Sequence, residues 1–268
     1  MPSRCFGPPT GSSFRVGHPG RVHCLSLDRT DGLALNDVRV ESATAAHPRF
    51  GGCVTPVAAS WSIIVPVKRP ELAKTRLADT VGELRPYMAR AFAADTVAAA
   101  LACPPVRSVL VVTDDDEFRA EARRLGAEVI ADTPGAGLNA ALRHGARHLR
   151  GHRPALPVAS LSADLPALRA AELQRVLEHA AEYPISFLAD AVGVGTTLYA
   201  STTGAPFLPR FGERSRAAHQ EAGAVELDIA DVPTVRRDID TAVDLWDGMR
   251  IGLGPRTESV ILQLDAAF

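Results

Sequence analysis

From Trp61 onward the apolar residues fall into blocks that alternate between two periods. W-S-I-I-V-P-V over 61–67 is an unbroken apolar run, the pattern of a strand buried on both faces. Leu84, Met88, Phe92 and Leu101 then fall largely at helical spacing, and the turn at Cys103-Pro104-Pro105 stops that helix. The exchange repeats down the chain. V-R-S-V-L-V-V-T at 106–113 predicts a second strand, followed by a helix from the acidic run Asp114–Glu117 to Leu125, closed by Gly126. Ala127–Ala131 predicts a third strand, and D-T-P-G-A-G-L-N-A-A-L from 132 opens a helix to about Leu149. V-A-S-L-S-A-D-L-P at 158–166 reads as a short apolar strand that delivers Asp164 to a turn at Pro166.

A helix over about Arg169–Tyr183 carries Leu173, Val176, Leu177 and Ala180 on one face, and Pro184 breaks it. Ile185–Leu188 predicts a strand, and D-A-V-G-V-G-T-T-L-Y-A a glycine loop entering another. Ser215 is placed to cap a helix carrying Arg216 and His219. V-R-R-D-I-D at 235–240 predicts a last strand ending in Asp238 and Asp240 before a final helix, and the segment after Arg250 reads as a tail. Strands alternating with helices over 60–250 predict an open α/β sheet. Residues 1–59 hold no lasting period and read as a disordered extension or a misplaced start.

Composition narrows this little. The 268 residues carry a formal charge of -2 and a pI near 6.4, so no basic field points to nucleic acid or an anionic membrane. No apolar run approaches the roughly 20 residues of a membrane helix, and the first residues lack a secretion signal, so the expected location is the cytoplasm. Four cysteines without a C-x-x-C suggest neither a zinc site nor a disulfide framework.

The chemistry-bearing residues cluster where strands end, the edge at which open α/β sheets bind ligands. Asp164 there either holds a metal ion against a phosphate or caps the next helix. The loop after the first strand gathers Lys68, Arg69, Lys74 and Arg76, either a solvated basic loop or the cradle of a triphosphate. Asp114, directly at a strand end, is the one ligand candidate of its acidic run. Gly135-Ala136-Gly137-Leu138-Asn139-Ala140 fits the G-x-G-x-x-A dinucleotide fingerprint but follows the third strand; it lets a nucleotide approach a helix N-terminus. Asp240 either caps the Thr241 helix or completes a two-carboxylate magnesium site with Asp164, and Asp238 is its rival as ligand.

These motifs stand in a familiar order: V-P-V-K, A-K-T-R-L-A, G-L-N at 137–139, A-D-L-P, G-x-G-T at 193–196, F-G-x-x-S at 211–215 and D-I-D-T at 238–241. In that order the region from about Ser60 to Met249 resembles the guanylyltransferases of coenzyme F-420 biosynthesis. These act on 2-phospho-L-lactate or phosphoenolpyruvate and are related to the molybdenum-cofactor guanylyltransferases. The resemblance implies a single α/β domain of the nucleotide-diphospho-sugar transferase type with a mostly parallel mixed sheet. It further implies that Lys68, Lys74 and Arg76 face the triphosphate of GTP, that Asn139 and the Gly137 loop hold the guanosine, and that Asp164 and Asp240 hold Mg2+. The phosphoacid would lie near Thr197, Gly212 and Ser215. Many relatives read G-T-N where this chain has Gly195-Thr196-Thr197, a version similar to actinobacterial phosphoenolpyruvate users. The expected reaction is transfer of GMP from GTP to phosphoenolpyruvate, with handover of a labile product to the next enzyme of the pathway. The alternatives are 2-phospho-L-lactate or 3-phosphoglycerate as acceptor, a molybdopterin guanylyltransferase, a nicotinamide dehydrogenase and an inactive binding scaffold.

Overall fold

The computed structural model describes residues 60–69 and 74–265. The expectation for residues 1–59 lies outside the described residues. Seven strands form one sheet in the order β3-β2-β1-β4-β6-β5-β7: β1 Trp61–Val67, β2 Val106–Thr113, β3 Glu128–Ile130, β4 Val158–Leu161, β5 Ile185–Ala189, β6 Thr196–Ser201 and β7 Val225–Glu226. Only β6 runs antiparallel to its neighbours. The mostly parallel mixed sheet is the one expected.

The helices are α1 Ala78–Val81, α2 Arg85–Leu101, α3 Asp116–Leu125, α4 Leu138–His152, α5 Ala170–Ala180, α6 Ser215–Glu221, α7 Pro233–Arg236, α8 Ala242–Ile251 and α9 Pro255–Asp265. Both faces of β1 are covered, which is why its sequence is apolar without alternation. Ile63 and Val65 enter a core shared with Ala94 and Val97 of α2, and Ile64 one shared with Leu142 and Leu149 of α4. The parallel register sets Ile64 level with Leu110 of β2 and Ser160 of β4, so the loops after these strands open on one edge.

Two segments depart from the sequence reading. Residues 235–240 form no strand: Pro233 starts the single turn α7, and the chain beyond it finds partners in loops. The Arg236 guanidinium turns back onto the Ala189 carbonyl at 2.9 Å, and the Ile239 N–H onto the Asp164 carbonyl at 3.1 Å. The segment after Arg250 is not a tail. Its helix α9 packs Val260 and Ile261 onto Met88 and Phe92 of α2, and Thr257 is fully buried. The anchor is Asp95 of α2, which accepts the N–H groups of Arg256 at 3.2 Å and Thr257 at 2.8 Å.

Candidate active site

Three acids reach the ligand edge from two loops. Asp164 stands in the turn after β4, and Asp238 and Asp240 flank Ile239 between α7 and α8. Ile239 is fully buried beside Leu77, Phe92 and Leu245, which fixes the two acids on either side of it. Thr241 caps α8 itself, in a reciprocal box with Asp244, so Asp240 has no capping role. Its carboxylate instead takes the Lys74 ammonium at 2.6 Å, and Asp164 pairs with the same ammonium. Lys74 reaches them from a left-handed backbone (φ 55°) that a lysine rarely adopts.

The electrostatics follow from this crowding. Burial acts to lower the Lys74 pKa, but the Asp164 and Asp240 carboxylates outweigh it and the pKa is raised. Burial, then repulsion from Asp164, Asp240 and Asp190, pushes the Asp238 carboxyl up to about 7, with Lys74 acting the other way. Among the described residues no three His, Cys, Asp or Glu side chains converge as a complete metal cage. Two carboxylates that converge on one ammonium are oxygen donors that could also hold a hard divalent ion, whose other ligands would be water and phosphate oxygens.

Beside the cluster a cavity of about 260 Å³ opens over β1 and β4, lined by Lys68, Lys74, Arg90, Asp164, Phe211 and Asp240 among others. Lys68 is exposed at its edge, whereas Arg76 is exposed and does not line it. Asn139, in the first turn of α4 behind Gly137, donates to the Phe211 carbonyl at 2.9 Å and accepts the Phe211 N–H at 2.8 Å. Its amide therefore ties the glycine turn to the Phe211 loop. Asp114 accepts the Asp132 N–H at 3.0 Å, fastening the end of β2 to the start of the glycine loop. Asp115 caps α3, as an acid in that position is expected to, and is gripped by Arg90 at 3.0 Å.

The loop Gly193–Gly195 closes round Asp190, whose carboxylate accepts the N–H groups of Gly193, Val194 and Gly195. A Cβ on Gly195 would run into that carboxylate, so this position requires glycine. Thr197 is fully buried; its carbonyl accepts the Ser162 N–H at 2.8 Å, and its hydroxyl has no partner among the described residues. Ser215 does not cap α6: it is the first helical residue, its N–H bonded to the Gly212 carbonyl at 3.2 Å, and Arg214 holds the cap position. His219 joins the two loops. Its Nε2 accepts the Arg210 N–H at 2.8 Å, which leaves the proton on Nδ1, 3.0 Å from the Thr196 hydroxyl. Burial, aided by the charge of Arg210, lowers its pKa to about 4, so the ring is neutral.

A family described as "Guanylyl transferase CofC like" matches residues 61–265, which takes in the cavity, the acid cluster and α9. The chain belongs to this guanylyl transferase family. The phosphoenolpyruvate guanylyltransferase of Streptomyces coelicolor is 55% identical over 205 residues, covering 76% of this chain and 97% of the relative. That of Thermomonospora curvata is 52% identical, covering 77% and 91%. Among solved structures, a putative nucleotide-diphospho-sugar transferase from Desulfovibrio desulfuricans G20 superposes with a TM-score of 0.59 at 18% identity, over 78% of this chain and 96% of its own. A 4-diphosphocytidyl-2C-methyl-D-erythritol synthase superposes at 0.51 with 12% identity, over 72% and 99%. These two likenesses establish the fold as that of the nucleotide-diphospho-sugar transferases.

For a guanylyl transferase, the sequence motifs pointed to the cavity wall without naming all of it. Arg90 carries no local signal, because it lies off the core face of α2, whereas Phe211 stands in the F-G-x-x-S motif without a role of its own there. His219 was visible only as a helix residue.

Proposed function

We propose that the chain transfers the guanylyl group of GTP to phosphoenolpyruvate, releasing pyrophosphate and forming enolpyruvyl-2-diphospho-5′-guanosine for coenzyme F-420 biosynthesis in the cytoplasm. The observation that carries this reading is the name shared by relatives 52–55% identical over nearly their whole length. The geometry supports it: Asp164 and Asp240 converge on the Lys74 ammonium at the wall of a cavity on the ligand edge of the sheet.

The acceptor phosphate is ionised near pH 7, so its oxygen attacks without a general base. A bond forms from that oxygen to the α-phosphorus of GTP, the bond from the α-phosphorus to the bridging oxygen breaks, and pyrophosphate leaves with the electron pair. The protein's work is then positioning and charge neutralisation. Asp164 and Asp240 fit Mg2+, with Asp238 behind them; when bound, this ion offsets the charge of the two substrates' phosphates. Lys74 supplies a fixed positive charge at the same point, and Lys68 at the cavity edge adds charge for the leaving pyrophosphate, with Arg76 acting on it only at longer range from outside the cavity wall. Asp114 and the Gly137–Asn139 turn frame the nucleotide side, and Thr197, Gly212 and Ser215 the acceptor side. The product passes to the next enzyme of the pathway.

Pyrophosphate release measured with GTP, Mg2+ and, in parallel, phosphoenolpyruvate, 2-phospho-L-lactate and 3-phosphoglycerate tests this. Release with phosphoenolpyruvate and GTP, and little with ATP, is expected. Release only with 2-phospho-L-lactate would move the acceptor, and release with none would overturn the reaction.

A further inference from the structure

Thr96 lies in the second half of α2, fully buried and not itself one of the residues that line the cavity. Its hydroxyl donates to the Phe92 carbonyl one turn back at 2.8 Å, an ordinary bond for a helical threonine. It also does something a helix does not need. It accepts the Leu165 N–H at 3.1 Å and lies 3.3 Å from the Ala163 carbonyl. These are the two peptide neighbours of Asp164. The Leu165 N–H bond ties the chain just after that acid to α2, and the Ala163 carbonyl just before it competes with that of Phe92 for the single hydroxyl proton.

The hold extends to the second acid loop and to the end of the chain. The carbonyl of Asp164 accepts the N–H of Ile239, the residue between Asp238 and Asp240. The preceding residue in α2, Asp95, anchors α9, and the Gly254 N–H ahead of α9 donates to the Pro166 carbonyl at 2.7 Å. A side chain on Gly254 would collide with the Asp95 carboxylate, so the contact closes only with glycine. Asp95 and Thr96 are thus adjacent points on one rigid helix from which the Asp164–Pro166 turn is hung.

We propose that Thr96 is a positioning residue for guanylyl transfer. Its hydroxyl fixes the backbone of Asp164 relative to that of Asp240, and with it the grip of the two carboxylates on a divalent cation. This rests on the reading that Asp164 and Asp240 hold that cation. A buried hydroxyl orienting a metal-binding carboxylate acts as an outer partner of the site, and loss of such a partner weakens metal binding about 10- to 100-fold.

The test uses the full chain and Thr96→Val, Thr96→Ala and Thr96→Ser. Binding of Mn2+ to the nucleotide-free protein is read by electron paramagnetic resonance, and the Mg2+ dependence of pyrophosphate release separately. With Thr96→Val, Mn2+ binding is expected to weaken and the half-saturating Mg2+ to rise, each about tenfold, with KM for GTP at saturating Mg2+ little changed. Thr96→Ser should restore both. Thr96→Ala removes the hydroxyl without adding bulk and is read the same way if the valine variant does not fold. Metal binding unchanged in the valine and alanine variants, with only a lower melting temperature, would make Thr96 a structural residue and overturn the proposal. Asp164→Asn separates the two levels. If it leaves Mn2+ binding intact, the metal reading has failed; if it abolishes binding while the Thr96 variants do not weaken it, the positioning role alone has failed.

Discussion

The N–H of Ile239 donates to the carbonyl of Asp164 at 3.1 Å, so the two loops that carry the acids are bonded to each other through their backbones. Neither loop belongs to a strand at that point. The separation of the carboxylates is set by this bond and by the burial of Ile239, and Lys74 bridges the gap that results.

Lys74 is the only ammonium shared by Asp164 and Asp240 among the described residues, so removing it leaves two acids to repel each other. Asp240 is about half exposed, which places the cost of Lys74→Met at about 1–3 kcal/mol, below that of a fully buried pair. Without divalent ions the variant is expected to melt several degrees below the wild type. Millimolar Mg2+ should raise its melting temperature by more than it raises that of the wild type. Equal shifts in thermal melts of the two proteins would mean that Lys74 and the cation do not share the carboxylates.

His219 accepts a backbone N–H at Nε2 and is neutral, with a pKa lowered to about 4 from 6.5. A histidine with a depressed folded pKa binds fewer protons than the unfolded chain between these values. Its contribution is therefore fully present above about pH 6.5 and is lost as pH falls towards about 4, amounting to on the order of 3 kcal/mol at most. The difference in urea midpoint between the wild type and His219→Gln is expected to shrink over this window. An NMR titration of the ring with a midpoint near 6.5 would contradict the buried, neutral assignment.

Helix α9 caps the outer face of α2, and Asp95 secures it. Asp95→Ala should cost about 1–2 kcal/mol, as for a lost helix cap, and lower the melting temperature by roughly 2–8 °C. Ending the chain at Leu253 should cost more, because Met88, Phe92 and Leu245 lose their cover. A truncated chain that melts with the full one would return 255–265 to the status of a tail.

Much of this architecture was legible in the sequence because burial on both faces leaves a plain mark. β1 and β2 read directly from their apolar runs, and Met88 and Phe92 marked the buried face of α2. The acids were legible because each stood next to a turn. What was not legible depends on partners far away in the chain. Nothing near 255–265 announces that its cap is Asp95, a side chain 162 positions before Thr257. The D-I-D stretch alternates like a strand, but its N–H partner is the carbonyl of Asp164, and no neighbouring strand is there to pair with it. Asn139 reads as a nucleotide contact, and the sequence gives no sign that its amide also pairs with the N–H and carbonyl of Phe211, 72 positions away.

The central claim is that Asp164 and Asp240 together carry the cation on which guanylyl transfer from GTP to phosphoenolpyruvate depends. Pyrophosphate release at saturating Mg2+ should be compared for the wild type, Asp164→Asn and Asp240→Asn, with melting temperatures taken on the same samples. Each variant is expected to lose about 10²- to 10³-fold in rate, the scale of one electrostatic stabiliser, while its melting temperature moves by a few degrees. A folded variant of either residue that releases pyrophosphate from GTP and phosphoenolpyruvate as fast as the wild type would contradict it.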